Sequence, residues 1–243
     1  MNNHVDKLFG EKSINDPYGG TFMDRTNKFD TSTNKPILGS WKIRGTTAPI
    51  RYQLAYMGID IQLVEYEMGN APSFSQSEWK RDKDNLGLDF PDLPYFVHNE
   101  VRITDNFAIH KYVAREWAPE LLGADVDERA KIAMIASVLS ETYNKLIKGC
   151  YDPECKRTNL NKHIFEKVPH IVKFLGEKPF VIGKQVTWID FVFYEHIDFM
   201  QFLTRGRFLQ TFPVLDKYFT RMTKLPGLQE LWHNQSIDFT AKR

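Results

Sequence analysis

Leu86-Gly87-Leu88-Asp89-Phe90-Pro91-Asp92-Leu93-Pro94-Tyr95-Phe96-Val97-His98-Asn99-Glu100-Val101-Arg102-Ile103 carries the pattern on which the topology of the first half turns. Tyr95-Phe96-Val97 and Val101-Arg102-Ile103 are short runs of strand-favouring residues, separated by the turn His98-Asn99-Glu100. Downstream, the pattern predicts a helix from about Asn106 to Trp117. Upstream lies an expected helix near Ser77 to Leu86, preceded by a loop. Ile61-Gln62-Leu63-Val64-Glu65-Tyr66 is β-prone and bounded by Gly58 and Gly69. Before it, Ile50 to Tyr56 sits in a helix that puts Ile50, Leu54 and Met57 on one face, and Ile37-Leu38-Gly39 begins a short strand.

The resulting order, β-α-β-α-β-β-α, is that of a thioredoxin-like α/β domain. Pro119 and Gly123 mark a boundary, after which strand signals nearly vanish. Ile132, Ile135, Ala136, Leu139, Tyr143, Leu146 and Ile147 recur at helical spacing and predict one long amphipathic helix. Further helices are expected near Asn161 to Leu175, Asp190 to Phe202 and Val214 to Lys224. The expected fold class is therefore α/β plus all-α, with a thioredoxin-like domain over residues 36–117 and an all-helical domain over 123–243. Thr187-Trp188-Ile189-Asp190 reads as a capping box, and Val186 with Phe191 as its hydrophobic staple. That motif concerns folding, not chemistry.

Residues 1–35 are different. They are rich in Asn, Asp, Thr, Lys and Gly and have no sustained period, but bulky residues recur singly at Leu8, Phe9, Ile14, Tyr18, Phe22 and Phe29. Two readings stand: a disordered tail, or an extended arm whose spaced apolar anchors dock on a protein partner. The charge balance, 32 basic against 31 acidic residues, gives no electrostatic reason to expect nucleic acid or an anionic membrane as main partner. No apolar run approaches a membrane span, and the first residues lack the apolar stretch of a secretory signal. Two cysteines, Cys150 and Cys155, make no disulfide framework, so a reducing, cytoplasmic setting is expected. The seven histidines show no metal-ligand spacing, so no metal is expected. His110, inside a predicted helix, reads as packed or solvated.

Several ordered motifs resemble the mu class of glutathione transferases. Leu38-Gly39-Ser40-Trp41-Lys42-Ile43-Arg44-Gly45 is similar to that class's first strand and loop, and Met68-Gly69-Asn70-Ala71-Pro72, leading to Trp79 and Lys83, to its long loop. Leu86 to Tyr95, Cys150-Tyr151-Asp152-Pro153 and the Thr187–Asp190 cap extend the likeness over roughly residues 36 to 232. The resemblance implies glutathione as substrate. Its thiol, with a free pKa near 8.5, is mostly protonated at neutral pH, and a hydroxyl donor lowers that pKa by stabilising the thiolate. In mu-like enzymes the donor is a tyrosine at the end of the first strand, and here that position is Ser40. A serine is far shorter, and a hydrogen bond must close to about 3.2 Å. Thr47-Ala48-Pro49-Ile50-Arg51 resembles the Ser-x-Pro-x-Arg stretch of theta-like relatives, which makes Thr47 a second candidate beside Thr46. The competing reading of both threonines is a helix N-cap.

The same resemblance assigns glutathione contacts to Trp41, Trp79, Lys83, Leu93 and Pro94. The family's proline is cis, Leu93 offers its backbone to the cysteinyl part in antiparallel fashion, and Trp79 with Lys83 meets the glycyl carboxylate. Trp79 can instead be core, and Lys83 solvated. Departures are concentrated around the anionic ligand. Gln76 replaces an arginine, Asp92 an asparagine, and Asp105-Asn106 a Gln-Ser pair at the γ-glutamyl end. Asp105 could meet the ligand's ammonium and Asn106 its carboxylate. Losing several charge-assisted contacts, each about 1.5–3 kcal/mol, implies weak binding. Tyr151 matches a second tyrosine facing the electrophile, Glu141 an acid near the γ-glutamyl group across a dimer, and Phe90 an aromatic residue inserted into a partner subunit, which implies a homodimer. The expected function is conjugation of glutathione to small electrophiles, weak or lost. The alternative is a non-catalytic module anchored by its arm in a larger assembly, for example a cytoskeletal or ciliary one.

Overall fold

In the computed structural model, residues 33–70, 73–152, 154–155 and 157–234 are described. The arm before Thr33, with its six apolar anchors, lies outside them, as do Ala71, Pro72 and Pro153. Strands β1 (Ile37–Trp41), β2 (Gln62–Tyr66), β3 (Tyr95–His98) and β4 (Val101–Thr104) form one sheet in the order β2-β1-β3-β4. β1 runs parallel to β2, which requires a crossover, and α1 (Ala48–Tyr56) supplies it. β3 is antiparallel to β1 and to β4, as the turn at His98-Asn99-Glu100 implies. The register sets Gly39 opposite Tyr95 and Tyr95 opposite Thr104.

Alternation along the strands divides the apolar residues between two faces. Leu38 and Phe96 pack with Ile50 and Leu54 of α1 and with Ile109 and Val113 of α3 (Asn106–Trp117), and Met57 closes that cluster. Ile37, Val64, Tyr66, Tyr95 and Val97 pack on the other face with Trp79 of α2 (Ser77–Asp82). Gly39 is needed here, because a Cβ on it would lie 2.0 Å from the Tyr95 ring. The expected helix to Leu86 stops at Asp82 and tightens into a 3-10 turn over Lys83–Asn85.

The second half is helical: α4 (Val126–Tyr151), α5 (Arg157–Leu175), α6 (Trp188–Leu203), α7 (Phe208–Thr211), α8 (Pro213–Met222) and α9 (Leu228–Asn234). α5 begins four residues before the expected start, and two short helices, α7 and α9, lie outside the expected ones. The periodic positions of α4 from Ile132 to Leu146 are all buried. α6 is the central helix, with thirteen of its sixteen residues buried, so apolar side chains surround it rather than forming one stripe. Its start is the capping box read from sequence. Asp190 Oδ2 accepts from the Thr187 N–H at 2.8 Å and from the Thr187 hydroxyl at 2.9 Å. Its other oxygen accepts from the Val181 N–H at 2.8 Å and the Tyr218 hydroxyl at 2.9 Å, tying a loop and α8 to the helix end. Burial pushes this carboxyl up to about 6 against those four donors. Val186 and Phe191 are buried in the same cluster.

Candidate functional site

The register gathers most of the candidate residues at one end of the sheet. Ser40 and Trp41 end β1, Leu93 and Pro94 lead into β3, and Asp105 and Asn106 follow β4. Since Gly39, Tyr95 and Thr104 lie side by side across three strands, these three segments are neighbours.

Ser40 lies on the Leu38 face of β1 and is 3% exposed, and Thr47 is 6% exposed. Thr47 occupies the position before α1 but keeps helical torsions (φ −88°, ψ −30°) and makes no side-chain cap bond. The N-cap reading therefore holds for its position and not for its hydroxyl. A cap needs extended torsions to aim the oxygen back at the first turn, and Thr47 lacks them. Neither hydroxyl has a hydrogen-bond partner among the described residues.

Trp41 is half-buried against the Tyr66–Tyr95 face. Trp79 is buried there too, edge-on to Tyr66 at 5.2 Å and stacked on Tyr95 at 6.1 Å. Its packing is that of a core residue. Lys83 lies 3.6 Å from Asp84 at the surface. The Leu93–Pro94 peptide is cis. The Leu93 N–H does not point into open space: it donates to Asp92 Oδ1 at 2.8 Å. Asp105 shows a parallel arrangement. It sits at φ 77°, a conformation uncommon outside glycine, and its Oδ1 caps α3 by accepting from the Ala108 N–H at 2.9 Å. Asn106 opens that helix, half-buried.

The remaining candidates lie on other segments. Tyr151 ends α4 with its ring edge-on to Phe74 at 5.1 Å, so the helical half meets the loop after β2 there. Glu141 is paired with Lys145 at 2.7 Å and stands 3.7 Å from Lys167. Phe90 is 82% exposed, while its carbonyl accepts from the Thr104 hydroxyl at 3.0 Å. His110 is packed: burial pushes it down to about 3, and its ring stacks on Trp188 at 5.5 Å with Nδ1 on Gln53. No group of three or more His, Cys, Asp or Glu able to hold a metal occurs among the described residues. No described helix is long and apolar enough to cross a membrane.

One cluster escaped the sequence reading. Arg44, in the loop between Ser40 and Thr47, reaches α6 and is buried there. Its Nη2 lies 2.6 Å from Glu195 Oε2 and 2.7 Å from Asp198 Oδ2, and its Nε donates to Glu195 Oε1 at 3.1 Å. The Tyr52 hydroxyl accepts from Arg44 at 3.0 Å and donates to Glu195 at 2.7 Å. Burial raises the carboxyls of Glu195 and Asp198, with Arg44 pulling each the other way. For Arg44, burial alone would lower the pKa, but the facing carboxylates hold its charge. The available signal was Glu195, His196 and Asp198 standing inside the otherwise apolar run of α6. Its effect is to fasten the loop between the two hydroxyls onto the helical half.

Residues 37–115 match the family model for the N-terminal domain of glutathione S-transferase, and residues 140–234 match that for the C-terminal domain. A glutathione S-transferase of Dermatophagoides pteronyssinus is 35% identical over 201 residues, covering 81% of this chain and 90% of its own. The chain belongs to the glutathione S-transferase family. Within that family it resembles the mu class: Glutathione S-transferase Mu 1 of Rattus norvegicus is 35% identical over 191 residues, 78% of this chain and 86% of the relative. The solved structure of the glutathione S-transferase Blo t 8 superposes with a TM-score of 0.75 at 26% identity, covering 84% of this chain and 96% of that one. The thioredoxin-like sheet followed by a helical half is thus the family's fold, as the motifs from Leu38 to Asp190 implied.

Proposed function

We propose that this chain binds glutathione at the sheet end formed by Ser40, Leu93 and Asp105, and adds the tripeptide's thiol to small electrophiles slowly. What supports this most is the pair of buried hydroxyls, Ser40 and Thr47, on either side of the fastened Arg44 loop. Neither is spent on a partner among the described residues, so either is available to donate to a sulfur. A hydroxyl donor favours the thiolate of a group whose free pKa is near 8.5, and so raises the nucleophilic fraction at neutral pH. In this reading Lys83 meets the glycyl carboxylate at the surface, with Trp41 and Pro94 walling the site and Asn106 donating to the γ-glutamyl end. Trp79 supports the site from the core. Tyr151, set against Phe74, borders the electrophile. The functional division is an arm over residues 1–35, a glutathione-binding domain over 36–117 and a helical domain over 123–243, in a cytoplasmic homodimer joined through Phe90.

A second reading, a non-catalytic module attached through its arm to a larger assembly, draws support from Asp92 and Asp105. Their carboxylates already fill backbone donors at this end of the sheet. Conjugation of glutathione to a chromogenic aryl halide tests between the two. Under the first reading Ser40→Ala or Thr47→Ala lowers kcat/KM by about tenfold or more, and moves the pH–rate profile upward by the pKa support that was lost. Equal turnover in parent and both variants removes the hydroxyl role. Absence of turnover in the parent, with a binding partner that is lost on deleting residues 1–35, favours the module.

A further inference from the structure

We infer that Asp92 sets the affinity of this site by holding, from within the chain, the backbone donor a bound peptide needs. The inference rests on the glutathione reading above and concerns the strength of binding. Leu93 leads into β3 immediately outside the hydrogen-bonded ladder, at the same sheet end as Ser40. An extended peptide laid along such a segment pairs with its free N–H and C=O groups. Pro94 has no N–H, so the Leu93 N–H is the donor at this step of the chain. It is taken: Asp92 Oδ1 accepts it at 2.8 Å.

An incoming carbonyl must therefore exchange with a carboxylate for one N–H. A charged acceptor makes the stronger bond, so the exchange favours Asp92 over a neutral peptide oxygen. Once displaced, the carboxylate stays beside the ligand, and glutathione carries carboxylates of its own. Asp105, exposed at the same end and already bonded to the Ala108 N–H, adds a second negative charge to that surface. Both aspartates thus satisfy backbone donors locally. Two backbone donors at this end of the sheet are occupied before any ligand arrives.

Asp92 is exposed, so it can be changed without opening the core. Calorimetric titration of glutathione into the full chain and into the Asp92→Asn and Asp92→Ala variants tests the inference, with unfolding midpoints recorded for all three. Both variants are expected to bind about tenfold tighter than the parent. Asp92→Ala, which leaves no competing acceptor, gains at least as much as Asp92→Asn. Amide exchange at Leu93 is also expected to speed up in ligand-free Asp92→Ala and to slow again on adding glutathione. If the parent binds and neither variant gains, or only Asp92→Asn does, the occupied donor is not what limits affinity, and the site itself stands. If no version binds at tens of millimolar glutathione, the site reading and this inference fall together.

Discussion

Arg44→Met removes the cation from a buried cluster and leaves its two carboxyls behind. The side chains of Arg44, Glu195 and Asp198 are 8%, 1% and 16% exposed, so water cannot take over the lost contacts without rearrangement. Arg44 makes contacts of 2.6, 2.7, 3.0 and 3.1 Å within that cluster. Breaking a buried pair by deleting one partner costs about 3–5 kcal/mol, because the other charge is stranded. For a chain of this size that is a fall in Tm of roughly 6–20 °C, out of a total stability of about 5–15 kcal/mol. Urea unfolding of the parent and Arg44→Met measures it, and adding Glu195→Gln recovers part of the loss by removing a stranded charge.

The pH dependence sharpens the test. Burial already raises both carboxyls in the folded state, and without Arg44 only the Tyr52 hydrogen bond still pulls Glu195 down. A carboxyl whose folded pKa lies above its unfolded value binds a proton more readily when folded. The folded state then gains stability as pH falls through the folded pKa toward the unfolded one, near 4. The deficit of Arg44→Met against the parent should therefore shrink between pH 7 and about pH 5. A deficit below about 1 kcal/mol, the level of a surface pair, would show that the cluster is effectively hydrated. A deficit that grows on acidification would mean the stranded carboxyls are not its source.

Two further changes give separable readouts. Burial holds His196 neutral and pushes it down to about 3, with its ring stacked on Tyr143 at 4.7 Å. The unfolded chain protonates below about 6.5 and the folded one does not, so stability is lost as pH falls from there, by about 2 kcal/mol at pH 5. His196→Phe keeps the stack and should remove one proton from the acid-side slope of denaturation free energy against pH. An unchanged slope places the titration elsewhere. Phe90 is 82% exposed, and burying it in a partner is worth about 1.5–3 kcal/mol per copy. Phe90→Ser should weaken a symmetric dimer by roughly 10²–10⁴-fold in sedimentation velocity, and equal sedimentation of parent and variant would refute the contact.

The parts legible in sequence were those governed by short-range rules. The hairpin from Tyr95 to Ile103 and the apolar face Ile50, Leu54 and Met57 follow from period alone. The Thr187–Asp190 box closes over three residues, so its partners are adjacent in the chain. The Arg44–Glu195 pair joins positions 151 residues apart, and no local pattern names the partner of a lone buried arginine. Thr47 escaped for a different reason. Its residue type fits an N-cap, but its helical torsions, which no residue type reveals, keep the hydroxyl from capping. The Asp92 bond was also hidden, since an aspartate two residues before a proline fits a turn, a ligand contact or a solvated side chain equally well.

Fold and chemistry here rest on different residues. Gly39, Tyr95 and Trp79 are held by packing: the ring across Gly39 leaves no room for a side chain, and Trp79 stacks on that same ring. Changing any of them disturbs the sheet. Asp92 and Asp105 are exposed, and each satisfies a backbone donor within three residues of itself, so the fold accepts them without loss. Under the proposed reading an anionic tripeptide does not, because each carboxylate occupies a donor and adds negative charge to the surface that would receive it. Ser40 falls between these cases, buried like a core residue at a position whose chemistry depends on reach. Membership of the glutathione S-transferase family therefore accounts for the fold that gathers these segments, while the affinity and rate proposed for them depend on a few side chains that the fold leaves free to vary.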